Sequence, residues 1–105
     1  MDIMGTEIDP NRLTRAGLRV LLLKLNKLEK ELHQPDITID QTVQLEQQRD
    51  KLTAWLVEQV VISWPFEMPI SQESYLDLSL EESTLVDQAL TEMLAWLSEQ
   101  RGKKK

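Results

Sequence analysis

A mainly α-helical domain is predicted by three features of this sequence. Leu, Glu, Gln, Lys and Ala dominate, and glycine occurs only 3 times in 105 residues, a composition that favours helix over a turn-rich β architecture. Apolar side chains recur at spacings of three and four. Each recurrent stretch follows a residue type that caps helices. The length suits one unit, which buries roughly 60 to 70% of the surface its unfolded chain exposes. The expectation is a single small helical domain over 1–105, with three longer helices, a short helical turn and a proline-bracketed corner after the second helix. Residues 1–9 and 101–105 are expected to be flexible tails.

Asp9 before Pro10 reads as an N-cap followed by proline at the first helical position, where its missing N–H removes no helical bond. The first helix is expected from there. Leu18, Leu21, Leu25, Leu28 and Leu32 form a leucine seam along it, widened by Val20, Leu22 and Leu23. Two heptads are too few to define a coiled coil, so an intramolecular helix pair and self-association through the seam both remain open. His33, Gln34 and Pro35 end the helix. Thr38 and Gln41 form a capping box for the second helix. Its first half is polar, while Leu52, Trp55, Leu56, Val60 and Val61 gather late; it should project from the body at its start and enter the core at its end. Pro65 disfavours helical dihedrals at Trp64, which places the helix end at about Ile62 or Ser63. Pro69 restricts Met68 likewise, so "SWPFEMP" should be extended and stiff. Ser71 can cap a short turn over "QESYLDL", and Ser79 with Glu82 makes a second capping box. The last helix carries Val86, Leu90, Met93 and Leu97 on one stripe, with Ala89, Leu94 and Trp96 beside it.

Charge and residue types narrow the function. The chain has no cysteine, so neither a disulfide framework nor a thiolate metal site is available. A net charge of -6 argues against general attraction to nucleic acid. Its distribution is uneven: six basic residues against Glu29 alone lie between Asn11 and Lys30, and eight acidic residues with no Lys or Arg lie between Glu67 and Gln100. The two fields are expected to attract one another within the fold, each exposed pair contributing only ~0.2 to 1 kcal/mol. Arg12, Arg15 and Arg19 share a face of the first helix, an arrangement that can hold phosphates or carboxylates. The one histidine, His33, sits where a helix C-terminus gives it an ordinary structural use, and no glycine-rich phosphate loop or calcium-loop spacing occurs. No catalytic residue, metal ligand or cofactor is assigned, and an enzyme is not expected. Acidic residues stand where a signal peptide needs a basic region, and no apolar run approaches the ~20 residues of a membrane span. A cytoplasmic protein without a membrane segment is the expectation.

The exception to the helical pattern is "VVISWPFEMPI", Val60 to Ile70, which concentrates β-branched and aromatic residues beside two prolines with a single charge. Trp64, Phe66, Met68, Ile70 and Tyr75 could close as a core lid or stay partly open as an anchor cluster of the kind enriched at interfaces. A fully buried Trp removes ~150 to 250 Å² from water, roughly 4 to 6 kcal/mol gross, so Trp64 must matter to one or the other.

This corner, with the helix start "PISQESYLDL" and the terminal helix "STLVDQALTEMLAWL", resembles the small phage tail assembly chaperones. Those proteins commonly carry a "VV.W" corner, a "P(L/I)(S/T).E" helix start and a closing amphipathic helix. The similarity spans Thr38 to Leu97, with Pro65 where an aspartate often follows the Trp. It implies a helical, non-enzymatic protein of the infected bacterium's cytoplasm. Such a protein binds the tape measure protein, recruits tail tube subunits and is absent from the finished particle. It also implies a longer product made by frameshifting, for which "GKKK" could be encoded by an A-rich slippery run. Trp64, Phe66, Met68, Ile70 and Tyr75 are the expected partner-binding residues. Two alternatives stand beside it: a virion structural protein such as a tail completion or connector component, and a small helical nucleic-acid-binding or regulatory protein using Arg12, Arg15 and Arg19.

Overall fold

The first eight residues fold as a β-hairpin rather than the expected tail in a computed structural model, which describes residues 1–102. β1 (Asp2–Ile3) pairs antiparallel with β2 (Thr6–Ile8), Asp2 opposite Glu7 and Ile3 opposite Thr6. Met4 and Gly5 make the two-residue connection at φ of 53° and 87°, the sign that matches the twist of the flanking strands. Thr6, Glu7 and Ile8 alternate in burial, so one face of β2 enters the core and the other meets solvent. The free edge of β2 pairs antiparallel with β3 (Val61–Ser63), which completes a sheet of order β1-β2-β3. That pairing corrects the expected end of the second helix. The Asp9 N–H donates to the Val60 carbonyl at 2.8 Å, and the β-branched residues that follow join the sheet instead of adding another helical turn.

The expected first helix divides in two. Asp9 caps a short 3-10 turn at Pro10–Arg12, its carboxylate accepting from the Asn11 N–H, and Leu13 leaves that turn in extended backbone. Thr14 then caps α1 (Arg15–Leu32), accepting from the Gly17 N–H at 3.0 Å. A second N-cap costs less than continuing the helix because it satisfies a donor the turn leaves free. At the other end the His33 backbone N–H donates to the Glu29 carbonyl at 3.1 Å.

α2 (Ile39–Val60) opens with both bonds of the Thr38–Gln41 capping box. α1 and α2 pack as a helix pair, and the leucine seam serves that pair: Leu21 and Leu28 are buried, with Leu18, Leu25 and Leu32 half-buried. The polar half of α2 lies far from the core, and Ala54, Leu56, Val57 and Val60 enter it. α3 (Gln72–Asp77), capped by Ser71, lies against α2; the Glu58 carboxylate accepts from the Gln72 backbone and side chain at 3.4 and 3.3 Å. α4 (Leu80–Gly102) starts at the Ser79–Glu82 box, with both bonds at 3.1 Å. It buries Val86, Ala89, Leu90 and Met93 against Ile8, Val57, Val60 and their neighbours. The helical backbone continues through Gly102, into the span expected as a tail; the lysines 103–105 lie outside the described residues.

The fold is therefore mainly α, three longer helices and one short one, braced by a small sheet at the point where α2 gives way to the proline corner. The core sits between β2, the end of α2, α3 and the first half of α4. The far ends of α1 and the start of α2 extend away from it, giving a flat body of 42 × 40 × 20 Å.

Candidate docking site

Trp64 and Tyr75, expected at a partner surface, belong to the core, and Phe66, Met68 and Ile70 remain half-buried on its edge. The two prolines do not hold "SWPFEMP" extended. The segment bends back on itself, and the Trp64 Nε1–H donates to the Met68 carbonyl at 2.8 Å. That bond satisfies the only polar atom of a buried indole and folds the corner around it. Phe66 packs edge-on against Trp64, ring centroids 5.4 Å apart at 64°, a preferred aromatic geometry. Pro65 is covered on another side by the β1–β2 turn, where a Cβ on Gly5 would lie 3.5 Å from the proline ring. Trp64 therefore acts as the internal support of the corner, and Phe66, Met68 and Ile70 form its outer lip.

Tyr75 is held from below. Its hydroxyl donates to Asp87 Oδ1 across the gap between α3 and α4. Burial, and then the hydrogen bond it donates to the Asp87 carboxylate, raise the phenol far above its ordinary range. Partial burial also raises the Asp87 carboxyl; the charge of Asp50 adds to the rise, while the Tyr75 hydroxyl and Arg49 oppose it. These groups line a narrow groove floored by Leu56 and Leu90. The Tyr75–Asp87 bond had no local sequence signal, since twelve residues separate its ends.

Arg12, Arg15 and Arg19 are exposed. Arg12 lies on the 3-10 turn and Arg15 and Arg19 on α1, so they do not form one continuous helix face. Among the described residues no Lys or Arg of the basic field lies within 4 Å of a carboxylate of the acidic field; the close contact of this kind is between Glu29 and His33, at 3.5 Å. His33 Nδ1 also lies 2.7 Å from the Glu29 carbonyl oxygen, the helix-end role its position implied. Among the described residues no three His, Asp or Glu side chains gather as a metal site needs, and no helix is long and apolar enough to cross a membrane.

A second surface went unrecognised in the sequence. Between α1 and α2 lies an open groove of about 950 Å³, floored by Val20, Leu21, Leu28, Leu52 and Trp55 and edged by Lys24, Lys27 and Lys51. The Trp55 indole closes one end beside Gly17, 3.6 Å from where a Cβ would stand. Val20, which is 49% exposed on the groove floor, was its available signal. Set against protein-family models, curated proteins and solved structures, the chain matches none of them.

Proposed function

We propose that this chain is an assembly chaperone of the phage tail type, a non-enzymatic helical protein that works in the host bacterial cytoplasm. It holds a helical segment of the tape measure protein against Phe66, Met68 and Ile70 while tail tube subunits are recruited. The observation that carries the reading is the half-open apolar lip built on a buried, hydrogen-bonded Trp64. A rigid support with flexible Met and aromatic side chains at its edge suits helix-in-groove capture, because little ordering entropy is lost on the chaperone side. Contact limited to three partly covered side chains keeps binding reversible, as a component absent from the finished particle requires.

Co-expression with the tape measure protein of the same genome tests this. The wild-type chain should keep that client soluble and co-purify with it. Phe66→Ala and Met68→Gln should each retain helical circular dichroism and cooperative unfolding, yet recover several-fold less client. If both variants hold the client as well as wild type, the lip is not the docking surface. Finding the chain in purified particles would favour a virion structural role instead. The exposed, unpaired Arg12, Arg15 and Arg19 favour one other reading, nucleic-acid binding; steeply salt-dependent retention on DNA or RNA would mark it.

A further inference from the structure

Among the described residues no direct ion pair joins the basic field of α1 to the acidic field of α4, and each field has an apolar surface beside it. On α4, Trp96 is 38% exposed and lies one helical turn from Glu92 on one side and Glu99 on the other, so the three share a stripe. It presents an aromatic anchor between two carboxylates. The α1–α2 groove presents the converse, an apolar floor beneath Lys24, Lys27 and Lys51, with Glu31 as the one acid among its lining residues. No residue of α4 lines the groove of its own subunit. Among the described residues none of these lysines and neither glutamate is ion-paired within the chain.

We infer that a second copy of this chain seats the C-terminal half of its α4 in the groove. The Trp96 indole enters over Val20 and Trp55, and Glu92 and Glu99 meet the lysine rim. An indole in an apolar pocket ringed by opposite charge is the usual composition of an interface hot spot: the ring supplies affinity, the charges supply register and encounter rate. The volume of about 950 Å³ admits an indole together with the helix surface that carries it. Groove and stripe are different surfaces, so two reciprocal contacts close a dimer, whereas a non-reciprocal contact would extend into a ring or filament. The contact uses none of Phe66, Met68 or Ile70, and its failure leaves the client-binding reading standing.

Sedimentation velocity on the full chain from micromolar to several hundred micromolar tests the inference. Wild type should associate, and more weakly as salt rises. Lys24→Glu with Lys51→Glu, and separately Glu92→Lys with Glu99→Lys, should each weaken association by more than about tenfold. All four positions are exposed, so unchanged melting curves would show that the variants stay folded. An equimolar mixture of the two double variants should associate again, as should one chain carrying all four reversals. Trp96→Ala should abolish association at every salt concentration. The mass of a single chain at every concentration for wild type, or association that both reversals leave intact, would overturn the inference.

Discussion

Thr6 faces the core from β2 with none of its surface exposed, and its hydroxyl has no hydrogen-bond partner. A buried hydroxyl left unpaired carries a desolvation cost of about 1 to 3 kcal/mol. Thr6→Val keeps the shape and the β-branching while removing that cost, and should raise the unfolding free energy by about 1 kcal/mol in urea titration. A loss of stability would mean that the hydroxyl is satisfied in solution. Tyr75 is the opposite case, a buried hydroxyl that is paired. Above pH 10, the ordinary value for tyrosine, the unfolded phenol ionises while the folded one keeps its proton. The native state then binds more protons, and stability falls as pH rises. Tyr75→Phe should cost about 1 to 2 kcal/mol at neutral pH and remove the alkaline fall. Asp87 contributes with the same sign at acid pH. Its unfolded carboxyl ionises near 3.8 and its folded one higher, so stability declines between the two values and the decline is complete above the folded one. Asp87→Asn, which keeps an oxygen to accept the Tyr75 hydroxyl, should gain stability relative to wild type across that window and hold the gain at neutral pH. Parallel pH profiles for wild type and Asp87→Asn would rule out this account of the carboxyl.

At the scale of elements, the caps were legible and the strands were not. The Thr38–Gln41 and Ser79–Glu82 boxes and the Ser71 cap form as their spacing implies, because each joins residues three apart through one local turn. The hairpin of β1 and β2 lacks such a mark. Met4-Gly5 is not a strong turn pair, since a Met at positive φ is uncommon, and two- and three-residue strands are too short for alternation to register. Its stability comes from β3 and α4, elements more than fifty residues away in the chain. Ile8→Ala separates a docked hairpin from a tail. With Ile8 fully buried, truncation should cost about 2 to 5 kcal/mol, seen as a lowered urea midpoint. A tail residue would change stability by no more than about 0.5 kcal/mol.

Across the whole molecule, one half of the leucine seam meets the core and the other holds a projecting helix pair together. Leu21 is part of the core cluster, while Leu28 is buried outside it. The projection places the lysine-edged groove and the proline corner on separate surfaces of a flat body. Composition, helical spacing and caps settled the helical class and most helix starts from the chain alone, because those preferences act over one or two turns. Local reading could not say that Trp64 would close inward and Phe66 stay at the rim. That choice depends on a carbonyl at Met68 reached only after the chain bends and on the close packing of the Gly5 turn against Pro65. Nor could it say whether a basic side chain of one field would reach a carboxylate of the other, since the distance between two charged surfaces is set by how the helices pack and not by the order of the residues that bear them.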